Sequence, residues 1–451
     1  FMDVRGRAWL AAAGAAAGIA TLFKVVGLYF LAACLLSVAW RRLGTGRGHR
    51  AVAAVGCGLF LVALGRLVLP GAAVSAVVLF FLPAAAVCAA VTVRRHGTAA
   101  SWRTALLLDG AWLVAGFLAP VALFLAPYAV RGGVAAWLDG VLLRPALRLE
   151  AASSAPPAAW TLLTGAAAVV LVALGERLGG EARTRAAAGA AVALAVGLAL
   201  DDALDGAVMA SLWYSLRTFV PALVVWGAWR HARGRGSGAA FATLATVALW
   251  TLVQFPYPAP AYAFYVAPLA VLATLAVVAG EPSDAGAPAP ARHGRPGGPG
   301  RPFSPLLALV AGVYAFRGAG YVAGVVGSGE VPLPGDRGGI LVSSEDVRVY
   351  GGLMETVAAH VSGGALWAGP DAPEVYFLTG LPNRTPILYE FLTDTNPAEP
   401  AALSDGTVTV AVVNTRPLFS RPLEPNVLER LTVRFSDARQ VGPFVVRWRS
   451  P

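Results

Sequence analysis

Long apolar runs, repeated along most of the chain, limit what this sequence can fold into more than any other feature. Eight runs are long enough to cross a lipid bilayer as helices, and they lie at about 51–69, 73–93, 105–126, 158–176, 206–229, 239–255, 261–280 and 303–326. A shorter run, 186–200, also fits if neighbouring segments cover its ends. Hydrophobic residues make up 57% of the chain and charged residues 13%, which argues against a soluble globular protein.

Arginine clusters fall in alternate connections between these runs. Residues 1–327 carry 25 basic and 11 acidic side chains, whereas residues 328–451 carry 10 and 14. Because short cytoplasmic loops of membrane proteins are enriched in basic residues, the clusters predict a multi-pass topology with residue 328 onward outside the cell. Loop clusters of this kind are not a DNA-binding stripe, so we expect no nucleic-acid partner. The clusters are Arg41, Arg42, Arg47 and Arg50; Arg94, Arg95 and Arg103; Arg177, Arg183 and Arg185; Arg230, Arg233 and Arg235; and Arg292, Arg295 and Arg301.

Lys24, the only lysine of the chain, interrupts the first apolar stretch, Trp9–Trp40. All the other basic residues are arginine, which is typical of a very GC-rich bacterial genome. Arginines flank the stretch at both ends, and this favours a hairpin of two short helices with Lys24 at the outer surface. The alternative is a single long, tilted helix.

The runs and the change of composition after residue 327 divide the chain into four parts. Residues 1–280 form a multi-span transmembrane region, 281–302 a Pro/Gly-rich cytoplasmic linker, 303–327 the last transmembrane helix, and 328–451 an extracytoplasmic domain. The sequence therefore predicts a polytopic α-helical membrane protein of about ten or eleven spans with a C-terminal extracytoplasmic α/β domain. We expect it in the plasma (inner) membrane of a bacterium, in contact with membrane lipids.

Helix and strand patterns alternate in the C-terminal domain, which is typical of an α/β fold. The predicted order is a helix that includes Val357–Val361, a strand at Ala365–Ala368, a strand at Thr407–Val413, a helix at Pro425–Phe435 and a final strand at Val441–Trp448.

Charges inside the apolar runs are the main candidates for a function, because burying a charge in a membrane is costly. Lys24 and Arg217 are candidates to bind an anionic phosphate. The competing interpretation is that such side chains extend to the lipid headgroups without a specific ligand.

Two outer segments are candidates to bind a substrate. Residues 131–150 alternate apolar and charged positions, which predicts an amphipathic helix on the outer interface or, alternatively, a plain structured loop. Tyrosine rings before the 261–280 run suit sugar rings, although the interface of any membrane protein is rich in aromatic residues. The candidate residues are Asp139, Arg144 and Arg148 in the first segment, and Tyr257, Tyr262 and Tyr265 in the second.

The sequence contains no strong local catalytic motif. Its histidines lack the spacing of metal ligands, and Cys34, Cys57 and Cys88 all lie in apolar runs. We therefore predict neither a metal site nor a disulfide framework.

Three segments together resemble the GT-C membrane glycosyltransferases, in particular the bacterial relatives of the protein mannosyltransferases and of the aminoarabinose transferase of lipid A. GAAAGIATLFKVVGLYFLAA (residues 14–33) is similar to a glycine-rich helix with a Lys-containing break. APEVYFLTGLPNRTP (372–386) resembles an element of the extracytoplasmic domain, and QFPYPAPAYAFYVAPL (254–269) resembles the aromatic loop before the last spans.

The resemblance implies transfer of a sugar from a polyprenyl-phosphate donor to a glycan, lipid or protein acceptor on the outer face, by an inverting displacement. Lys24 would contact the donor phosphate, with Arg217 as a second cation. The catalytic acidic residue of the family lies in a loop before the glycine-rich helix. We therefore expect that residue upstream of Phe1, together with any divalent metal that it binds, in a longer protein.

Two other classes of function stay open. A transporter or flippase for a lipid-linked sugar predicts broken helices from inverted repeats, and the sequence shows no such repeat. A non-catalytic membrane scaffold with an outer binding domain predicts that the charges of Lys24 and Arg217 are dispensable.

Overall fold

The computed structural model divides the chain into two compact units. One consists of Phe1–Trp137 with Ser153–Tyr314, and the other of Leu138–Ala152 with Ala315–Pro451. The structure describes residues 6–43, 46–69, 77–93, 102–143, 159–175, 180–204, 207–255, 261–278, 330–383 and 407–449, without residues 362, 364, 418, 419 and 421, and with a few residues between 312 and 324. The predicted linker 281–302 and nearly all of the predicted span 303–327 lie outside these ranges.

The first unit is helical, and its helices follow the apolar runs of the sequence. Runs of Ala, Leu and Val form them because these side chains favour burial or a lipid environment while the helix satisfies its own backbone hydrogen bonds. The helices are α1 (Arg7–Phe23), α2 (Leu28–Arg42), α3 (Arg47–Val68), α4 (Leu82–Val93, after a π-helical turn Val77–Phe81), α5 (Trp102–Val130), α6 (Val134–Leu138), α7 (Ala159–Gly175), α8 (Gly180–Ala199), α9 (Ala207–Ala232), α10 (Gly238–Trp250, followed by a 3₁₀ turn Thr251–Gln254) and α11 (Ala261–Val278).

Two helices in the described part, α3 and α5, are long and apolar enough to cross a membrane, and several shorter apolar helices accompany them. The number of about ten or eleven spans stays a prediction. The core of this unit lies around α9 and α10, where Leu223, Phe241, Leu244 and Leu249 are fully buried.

The stretch from Trp9 to Trp40 forms two helices, as the sequence predicts, and not one. α1 ends at Phe23, Lys24 has an extended backbone, and a short 3₁₀ turn at Val25–Gly27 leads into α2. Gly27 is required at the break because a Cβ atom there would collide with the backbone of Ala20 and Thr21.

α1 and α5 cross so closely that only glycine fits at the contact. A Cβ atom on Gly14 would collide with the carbonyl of Leu113, and one on Gly116 with the carbonyl of Ala11. Small residues at such crossings let two helix backbones approach each other. Gly110, also on α5, has open space around its Cβ position, so the requirement is local to the crossing.

Replacing Gly116 by Leu should force α1 away from α5 and destabilise the fold by about 1–3 kcal/mol, the usual cost of overpacking. The matched change Gly110→Leu should leave the midpoint of thermal unfolding within the range of ordinary surface substitutions. Thermal unfolding of the full chain in detergent, followed by circular dichroism, measures both. Equal midpoints for the two variants would contradict the close crossing.

The second unit contains a four-stranded mixed sheet with the strand order β3-β4-β6-β5. β3 and β4 are parallel, and the other two pairs are antiparallel. A separate short pair, β1 with β2, precedes it. The elements are β1 (Val331–Pro332), β2 (Leu341–Val342), α12 (Ser344–His360), β3 (Leu366–Gly369), α13 (Pro373–Thr379), β4 (Val410–Asn414), α14 (Pro425–Arg434), β5 (Asp437–Val441) and β6 (Phe444–Trp448).

Helices cover both faces of this sheet, so the unit has three layers. Leu353 and Val357 of α12 pack with α13 on one face, whereas Val427 and Leu431 of α14 pack on the other. β3 and β4 are buried along their whole length, as expected for parallel strands covered on both sides.

The predicted elements of this unit are confirmed, with shifted ends. Pro425 begins α14 as the first helical residue, where its missing N–H costs nothing, and the helix ends at Arg434. The predicted final strand at Val441–Trp448 is an antiparallel hairpin arm that starts at Phe444, since Val441 belongs to β5 and Gly442 turns with a positive φ of 56°. The sequence analysis missed β5, α13 and the short β1–β2 pair.

Stability of the second unit should depend on the ionisation of Glu374, in the first turn of α13. Burial raises the pKa of Glu374 above its ordinary value, a backbone hydrogen bond opposes the rise, and the charge of Asp371 adds to it. The folded unit therefore binds the proton of Glu374 more tightly than the unfolded chain does. As the pH rises from the pKa of Glu374 in the unfolded chain through its higher pKa in the folded unit, the free energy of unfolding falls. Glu374→Gln should remove that fall, which hydrogen exchange of the β3 and β4 amides against pH would measure. An unchanged pH dependence would contradict the assignment.

Candidate functional site

Lys24 lies exposed at the break between α1 and α2, beside the first turn of α11. Its Nζ donates a hydrogen bond of 3.3 Å to the hydroxyl of Tyr262, and it lies 4.6 Å from the centroid of the same ring. No carboxylate in the described part forms an ion pair with Lys24. The ammonium group has three N–H donors, so this arrangement leaves donors for an anionic ligand.

A chain of aromatic contacts starts at the ring beside this lysine and joins α2, α10 and α11. The ring of Tyr265 lies 6.0 Å from that of Tyr262, and the indole N–H of Trp250 donates to the backbone carbonyl of Tyr265 at 3.0 Å. Phe30 of α2 stacks on Trp250 at 4.4 Å. Together, Lys24, Phe30, Trp250, Tyr262 and Tyr265 form what we call the lysine–aromatic cluster.

The opposite end of the α1–α2 hairpin is closed by one buried carboxylate. Asp109 of α5 accepts a hydrogen bond of 2.7 Å from the Nε of Arg42, and the Nη2 of the same arginine forms an ion pair with it at 2.6 Å. The Nε of Arg7 lies 3.9 Å from its other oxygen. The start of α1 and the end of α2 therefore meet at one residue, which confirms the hairpin and places Lys24 at its far end.

Ring contacts between α2 and α10 define the same two ends. Phe30 meets Trp250 at the lysine end, and Trp40 stacks on Phe241 at the arginine end, so the two helices run antiparallel. The guanidinium of Arg233 lies over Trp229 at 4.1 Å where α9 ends. Arg7 and Arg42 thus lie at the end of the α1–α2 hairpin that is opposite the lysine–aromatic cluster.

The structure brings together three of the predicted site residues, namely Lys24, Tyr262 and Tyr265. Arg217 lies near the middle of α9 and is 7% exposed, so it is a buried cation and differs from the exposed lysine. Asp139 is half-buried and begins a π-helical turn, Asp139–Leu143. Tyr257, Arg144 and Arg148 lie outside the described residues.

The helix predicted within 131–150 is present in the described part of that segment as α6 (Val134–Leu138) and the π-helical turn Asp139–Leu143 that follows it directly. Residues 144–150 lie outside the described residues, and the position on the outer interface stays a prediction. α5 continues to Val130, and a turn at Gly132 with a φ of 69° precedes the five-residue helix α6. Gly132 separates α5 from α6, because glycine adopts a positive φ of this size without strain.

Sequence reasoning missed Asp109 and the aromatic partners of Tyr262 and Tyr265. Asp109 is the only acidic residue in the 105–126 run, and an acidic residue within an apolar run is itself a signal. The stacking of Phe30 on Trp250 carried no such signal, because the two residues come from distant runs.

The segment 372–386, which resembles an extracytoplasmic GT-C element, contributes a helix that packs in the second unit. Its residues Pro373–Thr379 form α13, which Gly380 ends with a φ of 70°. The hydroxyl of Tyr376 accepts a hydrogen bond of 2.7 Å from the backbone N–H of Ala368, so this helix is fixed onto β3.

In the described ranges, no group of three or more His, Cys, Asp or Glu side chains is placed to hold a metal ion.

Comparisons of the chain with models of protein families, with curated proteins and with solved structures find no match.

Asp109→Asn should destabilise the protein by about 1–3 kcal/mol, because the charged hydrogen bonds to Arg42 are lost at a buried position. The double variant with Arg42→Gln should cost less than the sum of the single variants, since the two residues share one interaction. Thermal unfolding of the four proteins of this cycle measures the coupling. Additive effects would contradict the clamp.

Proposed function

We propose that this protein is a membrane-embedded glycosyltransferase that takes a sugar from a polyprenyl-phosphate donor and transfers it to a glycan, lipid or protein acceptor on the outer face of a bacterial plasma membrane. One observation carries the proposal: the only lysine of the chain lies exposed at a helix break, held by Tyr262. An ammonium without a carboxylate partner in the described part is suited to a phosphate.

Exposed apolar helices support a membrane location. In the most apolar 18-residue stretch of each helix, only 28% of the residues of α3 and 17% of those of α5 are buried. Both helices nevertheless consist largely of apolar side chains. Leu59 of α3 and Leu123 of α5 are 68% and 78% exposed. Apolar surface of this extent needs a partner or a lipid phase, and multi-pass insertion with residue 328 onward outside agrees with the arginine distribution.

The length of the hairpin supports a position of Lys24 close to the outer headgroups. α1 has 17 residues and α2 has 15, which at 1.5 Å per residue gives about 25 and 22 Å. The hydrocarbon core of a bilayer is about 30 Å thick. With Arg7 and Arg42 at the inner headgroups, the ammonium of Lys24 would lie just below the outer headgroups, where the phosphate of a polyprenyl lipid is found.

The chemistry of the proposed step follows from charge. When the acceptor hydroxyl attacks the anomeric carbon, its proton passes to a general base, the acidic residue that the GT-C resemblance implies. The bond to the phosphate oxygen breaks at the same time, and negative charge grows on the leaving phosphate. A fixed ammonium stabilises that charge, and the Tyr262 hydroxyl keeps the lysine in place. Tyr262 and Tyr265 offer ring faces to a sugar or to the prenyl chain, and Arg217 is proposed as a second, buried cation. Asp139, Arg144, Arg148 and Tyr257 remain proposed substrate contacts.

Lys24→Ala should weaken binding of polyprenyl phosphate by about tenfold or more, because a hydrogen bond to a charged group contributes about 1.5–3 kcal/mol. Binding of the uncharged polyprenol should change little. Titration of the detergent-solubilised full chain with both lipids measures this, and Lys24→Arg should retain part of the affinity. Arg66→Ala is the matched control, since Arg66 is an exposed cation in the last turn of α3.

Transfer is tested with the same variants, by following radiolabelled sugar from a polyprenyl-phosphate pool into products in membranes that contain the protein. Loss of both binding and transfer in Lys24→Ala, with both retained in Arg66→Ala, is the expected result. Unchanged phosphate binding in Lys24→Ala would overturn the assigned role. If the protein moves the donor across the bilayer without transferring any sugar, the transferase proposal is wrong and the protein is a transporter.

A further inference from the structure

Positive charge in the C-terminal part of the chain is concentrated after residue 424. Residues 328–451 carry 10 basic and 14 acidic side chains, a net charge of −4. The last stretch, 425–451, carries five arginines and two acidic residues. A cluster of positive charge of this kind attracts anions where its side chains meet.

Three of these arginines line one open cavity. The cavity has a volume of about 700 Å³ and is lined by Glu429, Arg430, Val433, Arg434 and Arg449. The first four belong to α14, and Arg449 follows directly on β6. With a single carboxylate among its lining residues, the cavity carries a formal charge of +2.

Two of the arginines have side-chain environments that bear on ligand binding. The Nε of Arg434 is buried and has no hydrogen-bond partner in the part of the chain that the structure describes, although buried donors normally have one. The guanidinium carbon of Arg449 lies 5.7 Å from the centroid of Phe435, whose ring is fully buried. A ring at that distance holds the cation by a cation–π interaction.

Guanidinium groups in this arrangement match the oxygens of a phosphate group. The planar guanidinium group of arginine binds phosphate through two parallel N–H donors. Arg434 and Arg449 both line this cavity, and together they have more N–H donors than the carboxylate of Glu429 can accept. Val433 lines the same cavity and is 81% exposed. Its side chain is therefore accessible to an apolar part of a ligand.

We propose that Arg434 and Arg449, with Arg430 beside them, form a binding site for a phosphate group, carried either by a lipid headgroup or by a small soluble phosphate. The site stands on residues of the second unit alone, so it depends neither on Lys24 nor on sugar transfer.

The test uses the full chain in a non-ionic detergent, with the Lys24→Ala background to remove the other proposed phosphate contact. Inorganic phosphate, dioctanoyl phosphatidic acid and uncharged dioctanoylglycerol are titrated by calorimetry. The double variant Arg434→Gln/Arg449→Gln should lose about tenfold or more in affinity for the phosphate-bearing ligands. Arg348→Gln should bind as the parent does, because Arg348 is exposed on α12, on the other side of the sheet.

The three ligands separate the two sources of phosphate. Equal affinity for inorganic phosphate and phosphatidic acid identifies the phosphate alone as the ligand. Tighter binding of phosphatidic acid, reduced by Val433→Ser, identifies a lipid headgroup. The proposal is overturned if the parent binds neither phosphate-bearing ligand, or if the double variant binds them as the parent does while hydrogen exchange in β4 and β6 shows an intact sheet.

Discussion

The ion pairs at Asp109 are the interaction on which the arrangement of the first unit depends. A single carboxylate, buried on α5, receives Arg42 from the end of α2 and faces Arg7 at the start of α1. Because this closes the hairpin at one end, the helix break must lie at the other, and Lys24 is carried to the side where Tyr262 and Trp250 lie. Breaking a buried charge pair is costly because the remaining charge loses its compensation, so the geometry of the lysine–aromatic cluster depends on a residue at the far end of the hairpin.

The two units differ in how completely they bury their apolar side chains. The C-terminal unit covers both faces of its sheet with helices and so completes its own core. The helical unit buries α9 and α10 but leaves much of α3 and α5 exposed. That contrast is the physical basis on which the proposed function treats the first unit as embedded in lipid. Lys24 would act at the depth of lipid headgroups, whereas the Arg434 cavity opens on a unit that completes its own core.

Much of the secondary structure could be predicted because it depends on local patterns. Within the described ranges, apolar runs of helical length became helices. The change after residue 327 marked the start of the α/β elements, and arginines at both ends of Trp9–Trp40 indicated the hairpin. The strand β5 could not be predicted in this way. Its sequence, Asp437–Val441, is polar and exposed at the sheet edge, and it forms a strand only because β6 offers it hydrogen-bond partners. The helix expected within 131–150 starts only at Val134, because Gly132, with its positive φ, ends α5 and turns the chain before α6.

By itself, the sequence determined where the long helices form, because composition and periodicity act over a few turns of chain. It also determined which connections carry arginine and that Lys24 is the single lysine of the chain. Only the tertiary structure decided what that lysine touches. Its contact with Tyr262 joins residues that are distant in sequence, and the position of both depends on the Asp109 clamp and on the antiparallel packing of α2 against α10. The convergence of Arg434 and Arg449 on one cavity likewise required the fold, because a helix end and a strand end meet there only through the packing of α14 on the sheet.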